Sequence, residues 1–182
     1  MNIWIALLRG INVSGQKIIR MEELRKVFES LHYKHVTTYV QSGNVVFTAV
    51  GTMPEQLRKS IERKILKVFG FEVPVIVKKL SEIEAVIKRN PFAKVRLKGR
   101  EMIYVTFLAE EPSKATKEEL EGVVDPLDEI RISHAEIYLL CRKGYATTRF
   151  SNAFIEKKLG TIGTTRNWTT VNTLLDLGKE IF

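Results

Sequence analysis

Three short polar runs hold the side chains best suited to bind or react. The first is Arg9-Gly10-Ile11-Asn12-Val13-Ser14-Gly15-Gln16-Lys17, which follows an apolar run and precedes a helix-periodic one. Gly10 and Gly15 have the spacing of the two glycines in a phosphate-binding P-loop. Gln16, however, stands where that loop needs its lysine, and Lys17 where it needs Ser or Thr. Nucleotide hydrolysis by such a loop is not expected. A looser role fits: exposed amides, Arg9, Lys17 and the N-terminus of the next helix hold an anion. A plain glycine-rich connection is the alternative.

The second run, Gln41-Ser42-Gly43-Asn44, reads first as a tight turn, because Gly and Asn tolerate positive φ. Gln41, Ser42 and Asn44 would then sit at one end of a sheet, within reach of a ligand. The third is Thr164-Thr165-Arg166-Asn167-Trp168. Asn167 fits as an N-cap, and Trp168 with Val171, Leu174 and Leu175 makes an apolar stripe for the core. Arg166 beside that cap adds positive charge to the positive end of a helix, which needs an acid or a bound anion nearby. A salt bridge and a ligand contact both satisfy this.

Other chemistry finds little support. No nucleophile elbow is present, and the one cysteine, Cys141, lies in an apolar strand-like run where inertness is expected. His32, His35 and His134 do not have metal-ligand spacing, so neither metal nor cofactor is expected. A lone cysteine cannot form an internal disulfide, which fits a reducing, cytoplasmic setting. No apolar run approaches the length of a membrane helix, and the first apolar run lacks the flanks of a signal peptide.

Charge is more informative than composition. The chain has 182 residues, 45% hydrophobic and 27% charged, with a formal net charge of +8. Between Lys78 and Arg100, eight basic residues face two acidic ones, and Lys94, Arg96, Lys98 and Arg100 crowd its end. From Glu110 to Glu136 nine acidic residues face three basic ones. Two solvated faces would explain this, and so would an anionic partner such as RNA, DNA or a nucleotide.

The elements that must position these residues follow from periodicity. Ile3–Leu8 predicts a strand, Met21–Leu31 a helix, Val36–Val40 and Val45–Ala49 a hairpin, Pro54–Phe69 a helix and Val73–Val77 a strand. That order, βαββαβ, is ferredoxin-like. The second half predicts a helix over Ser81–Arg89, a strand over Met102–Leu108 and a helix over Ser113–Glu121. Strands at Glu129–Ser133 and Glu136–Cys141 follow, then helices at Ser151–Leu159 and Trp168–Leu177, the last closed by Gly178. This second unit is imperfect, with helices where a final strand belongs. The fold class is therefore α+β, two ferredoxin-like lobes spanning 1–79 and 80–182.

In the first strand both alternating rows are apolar. Trp4, Ala6 and Leu8 are expected on the face away from the lobe's own helices, covered by the second lobe or by a second copy in a homodimer. An RNA-recognition face would need aromatics there, and Trp4 and Phe47 are the only candidates. The loop after the first strand and the Gln41–Asn44 turn are expected at opposite ends of the sheet. A site pairing Arg9–Lys17 with Arg166 is then favoured over a single cleft.

Leu7-Leu8-Arg9-Gly10-Ile11-Asn12-Val13, Tyr39 to Phe47 and Thr165 to Val171 together resemble the bacterial domain-of-unknown-function family 1697. The resemblance extends through Asn90-Pro91-Phe92 and Ser151-Asn152 to Lys158-Leu159-Gly160. Ser14 stands where that family often has a second glycine, and Thr165 where it often has alanine. The resemblance implies a duplicated ferredoxin-like architecture and no particular activity. The leading expectation is a module binding an anionic ligand, nucleic acid or a nucleotide phosphate. The alternatives are a small cofactor-independent enzyme acting on a phosphorylated or carboxylated metabolite, and a protein-interaction module.

Overall fold

The computed structural model describes residues 1–50 and 53–181. It is an α+β protein with two four-stranded antiparallel sheets and, among the described residues, six α-helices. In chain order the elements are β1 (Asn2–Leu8), α1 (Met21–Glu29), β2 (Lys34–Tyr39), β3 (Asn44–Ala49), α2 (Pro54–Phe69) and β4 (Val75–Lys79). There follow α3 (Leu80–Lys88), β5 (Met102–Leu108), α4 (Lys114–Glu121), β6 (Glu129–Ser133), β7 (Glu136–Cys141), α5 (Asn152–Leu159), β8 (Gly163–Asn167) and α6 (Trp168–Lys179). The sheet orders are β2-β3-β1-β4 and β6-β7-β5-β8. Two compact units result, residues 1–84 together with those from Thr173 onward, and Ala85–Asn172.

Local chemistry explains most boundaries. Pro54 opens α2, where its missing N–H costs nothing, and Gly70 closes it in the left-handed region at φ 80°. Ser113 and Ser151 cap α4 and α5, each hydroxyl accepting from an amide three residues on. Leu57, Ile61 and Ile65 are buried on α2, whereas Leu66 is exposed.

Three expectations need correction. The second unit is complete: β8 pairs antiparallel with β5, from Tyr104↔Asn167 to Leu108↔Gly163. Gly-Thr-Thr-Arg-Asn lacks apolar alternation, so the strand is specified by its partner and by β-branched threonines rather than by hydrophobic pattern. Gly178 lies inside α6 rather than ending it. A Cβ there would collide with the Leu80 side chain, so this glycine serves close packing within the first unit.

The third correction concerns direction. Trp4, Ala6 and Leu8 belong to the core under α1 and α2, with Leu24, Phe28, Phe47, Leu57 and Ile61. Trp4 and Phe47 are register partners, both fully buried, so neither presents a ring for base stacking. The face away from these helices falls instead to Ile5 and Leu7, which are also fully buried.

Candidate anion-binding site

In the first unit the long loop and the hairpin turn meet. β1 and β3 run antiparallel with Leu7 opposite Asn44, so the end of β1 lies beside the start of β3. The expectation that these two loops occupy opposite sheet ends is thereby overturned. Leu8 N donates to Gly43 O at 2.8 Å. Asn12 joins the two loops: its Nδ2 donates to Ile19 O (3.0 Å) and Gln41 O (2.8 Å), and its Oδ1 accepts from Ile19 N (2.9 Å).

Between those anchors the chain forms a small hairpin. Gln16 N donates to Val13 O at 2.9 Å and Asn12 N to Lys17 O at 3.2 Å, with Ser14 and Gly15 both at positive φ. Gly10, Asn12, Lys17, Val40 and Gly43 also have positive φ, so strained backbone gathers at this sheet end. The amides of Arg9, Asn12, Gln16 and Ile19 are engaged within the protein, Arg9 N on Pro74 O. Lys17 Nζ donates to Glu72 O at 2.7 Å. Asn44, fully buried, donates to Tyr39 O and Ser42 Oγ. Asn12 and Asn44 thus hold the loops in shape, while Gln41 and Ser42 are exposed.

Val40 is the costliest of these residues, a β-branched side chain at φ 50° and 44% exposed. Val40→Gly should raise stability by about 1 kcal/mol, since relieved strain exceeds the added entropy of an unfolded glycine. Urea unfolding would measure it. An unchanged or lowered midpoint would show that the turn stores no strain there.

Arg166 and Asn167 belong to the second unit. Asn167 is the cap of α6, its Oδ1 accepting from Thr170 N at 2.7 Å. Arg166 lies in β8 with 5% exposure and donates to Thr164 Oγ1 (2.7 Å) and Thr165 O (2.8 Å). It is a buried residue of the edge strand β8, two positions before α6 begins.

The basic segment stands apart from these structural roles. Asn90 Oδ1 accepts from Phe92 N at 2.9 Å, and Phe92 is buried, which anchors one end. At the other end Lys98 N donates to Glu101 Oε2 (2.9 Å), and Arg142 donates to Glu101 Oε1 (3.0 Å) and Glu129 Oε1 (2.6 Å). The Lys98 amide, followed by Arg142, holds the Glu101 carboxyl below its usual range. Between the anchors Lys94, Arg96, Lys98 and Arg100 are all exposed. None of the four forms a salt bridge among the described residues.

One polar cluster escaped the sequence reading. Thr165 Oγ1 donates to Asn152 Oδ1 (2.6 Å), shares a hydrogen bond with Thr106 Oγ1 (2.7 Å) and accepts from Tyr145 OH (3.2 Å). Asn152 N in turn donates to Tyr145 OH at 3.1 Å. Thr106 sits among apolar residues in β5, a detectable signal, but its partner Thr165 comes from a distant segment. Nearby Cys141 is fully buried, which pushes its thiol up to about 11. Among the described residues no group of three His, Cys, Asp or Glu side chains could hold a metal ion. None of the described helices is long and apolar enough to cross a membrane.

Comparison with known proteins agrees on fold and family. A conserved bacterial protein of Streptococcus pneumoniae has a similar structure, with a TM-score of 0.73 at 20% identity over 97% of this chain and 98% of that one. No curated protein matches. The family model for proteins of unknown function DUF1697 matches residues 1–138, which include the Arg9–Val13, Tyr39–Phe47 and Asn90–Phe92 motifs but not those from Ser151 onward. With that match covering most of its length, the chain belongs to the DUF1697 family.

Proposed function

We propose that this protein is a module for binding a phosphate-bearing polyanion, nucleic acid, through Lys94, Arg96, Lys98 and Arg100. The observation that carries the reading is four exposed cations within seven residues, none of them in a salt bridge among the described residues, on a segment anchored at both ends. Like charges so crowded repel one another, and an anionic partner removes that cost. The hydroxyls around Thr165 bond to one another and the Cys141 thiol is buried and protonated, which favours binding over chemistry. The equal strand orders of the two sheets support a duplicated ferredoxin-like plait as the scaffold. A buried free thiol suits a cytoplasmic setting.

Salt dependence tests the reading. Anisotropy of a labelled oligonucleotide, titrated from about 50 to 200 mM salt, should show log K falling with log salt by about 0.7–0.9 per phosphate neutralised. Replacing Lys94, Arg96, Lys98 and Arg100 with Ala should flatten that slope by about 3. An unchanged slope would move the site elsewhere. The Arg9–Lys17 loop with Gln41 and Ser42 is the second place proposed for a single phosphate group, because Arg9, Lys17 and Arg20 bring positive charge to it.

A further inference from the structure

We infer that the basic segment takes duplex rather than single-stranded nucleic acid, and takes it without regard to sequence; this rests on the polyanion reading above. Proteins that hold single strands combine cations with aromatic rings on which unpaired bases stack. Here every Phe, Tyr and Trp among the described residues is buried or half-buried. The only ring between residues 85 and 101 is Phe92, 5% exposed. Other rings of the second unit are engaged with protein: Tyr104 lies 5.0 Å from Tyr145, and Phe154 lies against Phe150 and under Arg149.

A ligand at this segment is therefore held by its charged phosphates and not by stacked bases. A flexible single strand must be ordered on binding, and without stacking nothing offsets that cost. A duplex arrives already rigid. It also presents about one charge per 1.7 Å of axis, twice the density of one strand, along the roughly 20 Å that seven residues can span. Lysine and arginine reaching phosphates position a duplex without reading its bases. Val95, Leu97 and Gly99, the residues between the cations, carry no hydrogen-bonding side chain that could read base edges.

The test uses the whole protein and a labelled duplex of about 20 base pairs, its two separated strands and a duplex of scrambled sequence, all at low salt. The duplex should bind about ten-fold or more tightly than either strand, and the scrambled duplex within about two-fold of the first. The quadruple alanine variant, with its folding checked by circular dichroism, should lose the preference along with the affinity. A strand that binds as tightly as the duplex overturns the inference and leaves the polyanion reading intact. A strong preference between the two duplexes overturns the indifference to sequence. Failure of all four probes to bind overturns the reading beneath it.

Discussion

Gly43→Ala should destabilise the protein by about 3 kcal/mol and lower Tm by roughly 6–12 °C. Two costs add. Gly43 has φ 77°, where any Cβ is strained. The new methyl would also lie 2.6 Å from Ile11 Cδ1 and 2.9 Å from Leu8 Cβ. Leu8 and Ile11 are themselves buried, so neither can retreat without disturbing the core above β1. Gly15→Ala separates the two costs, because Gly15 has φ 74° with nothing within 4 Å of an added Cβ. It should lose about 1 kcal/mol, and the difference between the variants measures the steric collision. Equal losses in the two would refute the close approach of the loop to the turn. Thermal and urea unfolding of both variants supply the comparison.

Asn12→Ala should cost about 2–4 kcal/mol. Three hydrogen bonds disappear, and both backbone groups of the buried Ile19 lose their partner. Alanine also tolerates φ 55° less well than asparagine does. Asn12→Asp is the sharper variant. It keeps an acceptor for Ile19 N but aims carboxylate charge at two carbonyl oxygens, so it should be no better than alanine. Rescue by Asp would show that the two donated bonds contribute little. Because Asn12 and Gly43 act on one junction, the double variant should lose less than the sum of the single losses.

Much of the fold was legible in the residues. The observed limits of β5, β6 and β7 are those that alternation predicts, and Pro54 and Gly70 marked both ends of α2. Long-range features were not. Both rows of β1 are apolar, so periodicity could not say which row faces the helices. The strand β8 is polar and is recognisable only beside β5. Of the candidate site, the exposed cations from Lys94 to Arg100 were visible as composition, because charged side chains on a loop need no partner to stay outside. The role of Asn12 depended on Gln41, twenty-nine positions away, and no local pattern announces such a bond. The burial of Arg166 was hidden for the same reason, since the strand β8 that carries it just before α6 has no apolar pattern of its own.

The packing of Gly178 on Leu80 has a bearing on how the chain matures on the ribosome. The first unit takes in residues from both sides of the second, so its strands are made early but the end of α6 packs on Leu80 only after residues 85–172 have been synthesised. At about 5–20 residues per second, that interval lasts roughly 4–18 s. The nascent first unit waits through it incomplete, its Leu80 surface uncovered, while the second unit has a contiguous sequence and can close as soon as it emerges. Translation speed through the second unit, rather than any barrier within the first, would then set how long that apolar surface stays open to chaperones.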